Sequence, residues 1–402
     1  MRPFTSTISL GEARRRLDAA LRPIDRLERV SLDQAGGRVA ALEALSDVDV
    51  PPFARSAMDG YAVAATDTSG ATPESPARLR LVDRVFTGEL SAASAGAGRC
   101  VEIATGAPLP QGADAVVMVE DTARSGDEIR ILAPVTPGQN VGRRGGDIAP
   151  GDRVVAAGDV LTPSRIGALA AIGRTAVDVF GRPRVAILST GNEILEPGQP
   201  LRPGHIFDVN RFTLGAVVSA HGGVPEPRPP VHDTIDALLT ALEASLDADM
   251  VVFSGGSSVG DRDLVVDAIA AEGGEMVFHG IAVRPGKPTA FAIVRGKPFF
   301  GMPGNPTSCL SNAYILLAPF LRATARLPPE IARTVRVPLG RSIASAVGRH
   351  QFYTVTLRNG AAMPAFKGSG DITSLSKADG YIEIPATEDG VEEGTIVSVM
   401  LF

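Results

Sequence analysis

Between Asp249 and Asp263 the chain reads Asp-Met-Val-Val-Phe-Ser-Gly-Gly-Ser-Ser-Val-Gly-Asp-Arg-Asp. The four apolar residues Met250 to Phe253 predict a short strand buried on both faces. The loop after it carries little side-chain bulk, and its glycines allow positive φ. Backbone N–H groups of Gly255, Gly256, Ser257, Ser258 and Gly260 can therefore converge on one oxyanion. Asp261 or Asp263 then caps a helix reaching about Ala271, stopped by Gly273-Gly274. Strand, Gly/Ser loop and helix N-terminus is an arrangement that binds phosphate or another oxyanion. It is equally that of an ordinary tight βα turn. Two aspartates would repel a bare anion, and they fit better if a divalent cation or a proton shares the site.

Glycine-rich turns recur at other strand ends. Val185–Leu188 reads as a buried strand ending in Ser189-Thr190-Gly191-Asn192-Glu193, and strand 276–283 runs into Arg284-Pro285-Gly286-Lys287-Pro288. A hairpin pairs 289–294 with 298–302, and Met302-Pro303-Gly304-Asn305-Pro306 leads into a helix over 307–324. Helices capped by Asn210 (to about His221) and by Asp233 (234–246, with Asp236 in its first turn) alternate with the strands. From Pro183 to about Leu327 this predicts a doubly wound α/β domain, whose ligands lie at the C-terminal ends of parallel strands. That rim would gather Arg284 and Lys287 beside Glu193, Asp233 and Asp263, as phosphate-ester or phosphoanhydride chemistry with Mg²⁺ requires. Taken singly, each carboxylate is explained as a helix cap, Asp233 most readily, and each cation as a solvated turn residue. His232 beside Asp233 is the one histidine that merits a check, and no Gly-x-Ser-x-Gly, His-Glu-x-x-His or Walker lysine competes.

The elements that position this rim come from a chain of 402 residues, enough for about three or four domains. Residues 7–21 predict a helix with Ser9 as cap, Glu12 completing the box, and Leu10, Ala13, Leu17 and Leu21 on one face. Segments 78–86, 115–119 and 128–132 read as strands of a β-rich domain. Its loop Ala104-Thr105-Gly106-Ala107-Pro108 offers one hydroxyl, of a kind usually spent on the backbone. A helix over 163–172 follows, and the last 70 residues form a second small β domain. A formal charge of −6 without a long Lys/Arg run, and no Trp, argues against nucleic-acid binding. Cys100 and Cys309 read as free thiols of a reducing cytoplasm. No signal-peptide core and no ~18-residue apolar run is present, so the expected location is cytoplasmic, away from membranes.

A series of motifs, in one order along nearly the whole chain, carries a resemblance. They are Pro51-Pro52-Phe53, Ser56-Ala57-Met58-Asp59-Gly60-Tyr61-Ala62, Thr105-Gly106-Ala107-Pro108, Gly138-Gln139-Asn140-Val141 and Ser189-Thr190-Gly191-Asn192-Glu193. Ser254 to Asp261, Arg284-Pro285-Gly286-Lys287-Pro288, Pro303-Gly304-Asn305-Pro306 and Gly368-Ser369-Gly370 continue them. The chain resembles the molybdopterin molybdenumtransferase family, MoeA type, which is similar to the C-terminal domain of gephyrin. The resemblance implies an α/β multidomain fold with four parts. Residues 1–47 with 142–178 form an elongated α+β connecting and dimerisation domain, and 48–141 a small β-rich domain. Residues 179–326 form the doubly wound molybdopterin-binding domain, and 327–402 a β-barrel-like C-terminal domain.

It further implies a homodimer, with the site between the α/β domain of one copy and the first β domain of the other. The implied reaction inserts molybdate into adenylylated molybdopterin and releases AMP, with Mg²⁺ as metal. Asp59, Thr105, Glu193 and Asp263 take catalytic positions, and Glu193, Asp233 and Asp263 metal positions. Gly255, Gly256, Ser257, Ser258, Gly260, Arg284, Lys287 and Ser369 take substrate- or oxyanion-binding positions. A molybdopterin adenylyltransferase and molybdoenzyme-maturation proteins are implied partners. The chain departs from the family pattern at Asn192, where Asp is usual, and at Ser257, Gly146, Asp379 and Ala54-Arg55. Asn192 removes a negative charge beside Glu193. Rival readings are a molybdopterin adenylyltransferase, a non-catalytic scaffold, and tungstate in place of molybdate.

Overall fold

The structure is a computed structural model that describes residues 7–255 and 264–402. These fall into two compact units: the chain up to Glu28 with Phe180–Phe402, and Arg29–Val179.

The first unit is built on a six-stranded sheet in the order Val224–Pro227, Arg184–Ser189, Met250–Ser254, Lys297–Met302, Ala290–Val294, Glu275–His279. The first four strands are parallel, and the hairpin and Glu275–His279 add antiparallel pairs. Arg295 (φ 48°) and Gly296 (φ 79°) give the hairpin two left-handed residues, as a tight turn matched to strand twist requires. Side chains alternate across the sheet. Val185, Ile187, Met250 and Val252 enter one core, while Ala186, Leu188, Val251 and Phe253 enter the other. Helices Asn210–Ala220, Pro306–Asn312 and Ala318–Thr324 bury residues in the first core, and Ile235–Glu243 and Leu264–Ala271 in the second. Phe291, Phe299 and Phe300 are each 1% exposed or less, and burying each contributes roughly 1.5–3 kcal/mol. The single helix expected over 307–324 is instead interrupted by a π-turn, Ala313–Leu317.

Ser9 Oγ accepts the Glu12 N–H at 3.2 Å and caps helix Leu10–Ala20. The box is only half formed, because the Glu12 carboxylate pairs with Arg15 and Arg16 instead of turning back. Leu10, Ala13 and Leu17 lie in the first core with Ile281 and Phe352. Ile8 pairs with this part of the chain, accepting from Ala282 and donating to Gly280. Residues 7–28 thus pack in the unit of the α/β sheet, where the apolar face of the helix finds its partner across the chain.

The same unit holds a second sheet in the order Val283–Arg284, His350–Arg358, Gly380–Ile384, Ile396–Leu401, Thr334–Pro338, with Ala361–Pro364 beside His350–Arg358. Val283 and Arg284 pair in parallel with His350 and Gln351, so the turn starting at Arg284 is tied to the C-terminal sheet.

The second unit contains a six-stranded sheet in the order Ala115–Met118, Gly60–Val63, Arg99–Ile103, Ala77–Val85, Glu128–Ile131, Thr122–Ser125. Val30, Ala35 and Ala40 share a separate core with Val155, Leu161, Leu169, Val177 and Val179, around helix Pro163–Ala171. Among the described residues no helix is long and apolar enough to cross a membrane.

Candidate active site

A cleft of about 1260 Å³ opens at the C-terminal ends of the parallel strands. Of the residues singled out in the sequence, Glu193, Asp233, Gly255, Arg284, Lys287 and Ser369 line it together. Asp263, Gly256, Ser257, Ser258 and Gly260 lie outside the described residues. Gly255 has φ +102°, and a Cβ on it would come within 2.9 Å of Thr190 Oγ1. Two strand-end loops therefore touch through a position where only glycine fits.

Asp233 is not the helix cap expected of it. Thr234 Oγ1 accepts the Ala237 N–H and caps helix Ile235–Glu243, which leaves Asp233 to face the cleft half-buried. Its Oδ1 is buried without a hydrogen-bond partner among the described residues. Burial first, and the Glu193 charge second, hold its carboxyl above the usual carboxylate range. The nearby Thr190 hydroxyl opposes this, although Thr190 Oγ1 and Asp233 Oδ1 do not complete a hydrogen bond. Both upward pushes are ones that a bound divalent cation would reverse, so Asp233 and Glu193 fit a cation. Asn192 Oδ1 accepts the Asp233 N–H at 3.3 Å and lies 3.3 Å from His232 Nδ1, so His232 meets the loop through an amide. No group of three His, Cys, Asp or Glu side chains forms a metal centre among the described residues, which exclude Asp263.

Asn210 does not cap its helix either. Helix Asn210–Ala220 starts there without a side-chain cap from Val209, while Asp208 Oδ1 accepts the Arg211 N–H at 3.0 Å. Asn210 Nδ2 instead donates to Ser254 Oγ and to the Gly304 carbonyl, each at 2.7 Å. It thereby joins the ends of two strands and the Pro303–Pro306 turn. Asp208 also accepts from the Ser189 hydroxyl at 3.1 Å.

On the opposite wall, Asn312 Nδ2 donates to the Gly286 carbonyl at 2.8 Å and to Thr289 Oγ1, fixing the turn that carries Arg284 and Lys287. Asn305 Nδ2 donates to Ser369 Oγ (3.1 Å) and Thr307 N–H to the Ser369 carbonyl (3.0 Å), which fastens the Gly368–Gly370 loop to the cleft. Sequence reasoning missed Asp208, Arg349 and Lys367, which also line the cleft. The pairing of Val283-Arg284 with His350-Gln351 is what delivers Arg349, and no local period announces it. Of the four lysines in the chain, Lys287 and Lys367 line the cleft, and Lys297 donates to the Leu246 and Ala248 carbonyls. Burial pushes the thiols of Cys100 and Cys309 up to about 12, which leaves them poor nucleophiles.

In the other unit Asp59 and Thr105 form one exposed pair. The Thr105 N–H (2.7 Å) and hydroxyl (2.9 Å) both donate to Asp59 Oδ1 and hold its carboxyl below the usual range, the N–H contributing most.

Three family models cover most of the chain. The MoeA N-terminal region (domain I and II) matches residues 8–173, a probable molybdopterin binding domain 186–323, and the MoeA C-terminal region (domain IV) 336–402. The chain belongs to the MoeA family. Molybdopterin molybdenumtransferase 2 of Mycobacterium tuberculosis is 35% identical over 94% of the chain and 95% of its own length. The molybdopterin molybdenumtransferase of Haemophilus influenzae is 31% identical over 98% of each. The crystal structure of a molybdopterin biosynthesis MoeA protein from Pyrococcus horikoshii superposes with a TM-score of 0.84 at 39% identity, over 98% of this chain and 99% of that one. The α/β multidomain fold expected from the sequence is therefore that of solved MoeA structures, and transferase is the activity its relatives are named for.

Proposed function

We propose that this MoeA-family chain is a molybdopterin molybdenumtransferase of molybdenum cofactor biosynthesis. Its substrates are molybdate and adenylylated molybdopterin, and its products the molybdenum cofactor and AMP. The observation that carries this reading is the cleft itself, where Arg284, Lys287, Arg349 and Lys367 meet the carboxylates Glu193 and Asp233 at the strand ends. Four cations suit two oxyanions, a molybdate and a phosphoanhydride, and the carboxylates suit a cation beside them.

Glu193 and Asp233, with Asp263 as the expected third ligand, would hold Mg²⁺, which neutralises charge on the anhydride when bound. Arg284, Lys287, Arg349 and Lys367 bind and orient the anions. Asn210 and Asn312 keep the loops that carry them in place. Asp59, held ionised by Thr105, is the acceptor for a proton or a cation. The homodimer implied by the resemblance, with Asp59 and Thr105 of one copy serving the α/β domain of the other, is part of this proposal. So are the cytoplasmic location, the division into four domains, and supply of substrate by a molybdopterin adenylyltransferase.

The test is AMP release from adenylylated molybdopterin by the purified protein. Release that requires Mg²⁺ and rises with molybdate is expected, with loss in Asp263→Ala and Lys287→Met variants that keep their far-UV spectrum. Tight substrate binding without release would overturn the transferase reading in favour of a scaffold. Release supported equally by tungstate would leave the choice of oxyanion to availability.

A further inference from the structure

Asn305 stands at the N-cap position of helix Pro306–Asn312, where an asparagine side chain ordinarily accepts a backbone N–H, yet it makes no capping bond. Its amide donates instead to Ser369 Oγ at 3.1 Å, across 64 residues of chain. Holding the Gly368–Gly370 loop does not depend on this bond. The Thr307 N–H donates to the Ser369 carbonyl at 3.0 Å, and Thr307 Oγ1 donates to the Asp371 carbonyl at 2.8 Å. Thr307 is 1% exposed, so its two bonds are shielded from water, whereas Asn305 and Ser369 both line the cleft.

What the Asn305 bond decides is the direction of a proton. A serine hydroxyl has one O–H to give and two lone pairs, while an amide NH2 can only donate. With Asn305 Nδ2 on one lone pair of Ser369 Oγ, the O–H has nothing to give to at Asn305 and is turned elsewhere. Among the described residues nothing accepts it. The cleft that Ser369 lines also holds Arg349 and Lys367, so the free O–H adds a neutral donor to a wall of cations. Oxyanion oxygens, which only accept, are served by such a wall.

We propose that Asn305 is a positioning residue: it holds Ser369 as a hydrogen-bond donor toward an oxyanion in the cleft. The proposal rests on the reading of the cleft as a site for molybdate and a phosphoanhydride, and both present the same kind of acceptor oxygen. Asn305→Asp keeps the shape of the side chain but can only accept when ionised. The Ser369 proton then turns to the new carboxylate and is lost to the ligand. Asn305→Ala merely frees the hydroxyl to rotate, so its effect is smaller.

The experiment is calorimetric titration of the purified full chain with molybdate and, separately, with AMP, in a double-mutant cycle over positions 305 and 369. Asn305→Asp should weaken one of the two ligands roughly ten- to a hundredfold, the worth of a hydrogen bond to a charged group, and Ser369→Ala should weaken the same one. Which ligand responds tells whether Ser369 serves the molybdate or the phosphate end. A charge at position 305 also repels either anion through space, and the cycle separates the two causes. In the Ser369→Ala background Asn305→Asp should cost about fivefold less, or better, than in the parent. An equal penalty in both backgrounds, unchanged affinity for both ligands, or no binding of either by the parent would overturn the proposal. If Asn305→Asp does not fold, Asn305→Ala carries the same cycle, with a loss of about threefold in the parent and none in the Ser369→Ala background. AMP release by the parent is measured alongside. Release without coupling between the two positions sinks the positioning role alone, and coupling without release sinks the transferase reading alone.

Discussion

Replacing Gly286 with alanine should unseat the turn that presents Arg284 and Lys287. Gly286 has φ +104°, and a Cβ there would lie 2.6 Å from Asn312 Cγ, far inside contact distance. Asn312 is fully buried and its amide donates to the Gly286 carbonyl and Thr289 Oγ1, so it has no free direction in which to yield. The backbone strain costs about 1–2 kcal/mol. Displacing Asn312 breaks its two hydrogen bonds at roughly 1–1.5 kcal/mol each, the Gly286 carbonyl keeping only the Thr289 hydroxyl at 2.9 Å, for a sum of about 3–5 kcal/mol. Gly360→Ala is the control: its φ is +76° but nothing lies within 4 Å of the new methyl, so only the strain of about 1–2 kcal/mol applies. Asn312→Ala alone should cost about 2–3 kcal/mol, and it also removes the obstacle. The double variant Gly286→Ala/Asn312→Ala should therefore fall short of additivity by about 2 kcal/mol. The chain contains no Trp, so urea unfolding is followed by far-UV circular dichroism. With two compact units, the transition of the unit holding Gly286 is the one that moves. Equal losses in Gly286→Ala and Gly360→Ala, or a strictly additive double variant, would refute the steric account.

Two further outcomes concern protonation. Thr105→Val removes the hydroxyl donor to Asp59 and keeps the N–H, so the Asp59 carboxyl should titrate at higher pH than in the parent while staying below an ordinary aspartate. NMR titration of that carboxyl reads it directly, and an unmoved or lowered titration would show the hydroxyl to be irrelevant. His221, 7% exposed, is held below its usual pKa first by burial, with Glu330 opposing and Arg322 assisting. The unfolded chain then takes up the proton first, so stability should fall as pH drops below about 6.5, down to the lowered folded-state pKa. His221→Gln should flatten that slope in urea midpoints measured across the range, and parallel slopes in the two proteins would contradict it.

What could be read from the sequence was what local chemistry decides. The buried run Met250–Phe253, the hairpin around Arg295-Gly296 and the Ser9 cap follow from rules that act within a few residues. The caps at Asp233 and Asn210 were misplaced because Asp, Asn and Thr all cap helices. Only the fold shows that Thr234 does so at one helix, and that Asn210 reaches Gly304, 94 residues on. Arg349 escaped notice because a strand pairing between Val283 and His350 brings it in, and Lys367 because Asn305 and Thr307 fasten the neighbouring Gly368–Gly370 loop; periodicity within these segments carries no trace of either. Arg284, Lys287 and Glu193 were singled out because each lies in a turn whose composition is unusual on its own, and Ser369 only through the family resemblance; all four line the cleft.

The distribution of lysine gives the cleft a chemical address. Among 39 basic residues only four are lysines, at positions 287, 297, 367 and 377. Guanidinium groups carry the remaining positive charge and ignore reagents that acylate amines. The lysine amines such reagents meet are Lys377 on the surface, Lys287 and Lys367 in the cleft (Lys367 beside the Thr373 hydroxyl), and Lys297, which is held by two backbone carbonyls. Mass spectrometry after brief amine labelling thus becomes an occupancy gauge, with Lys377 as internal standard and the two cleft residues dimming as ligand fills the space around them.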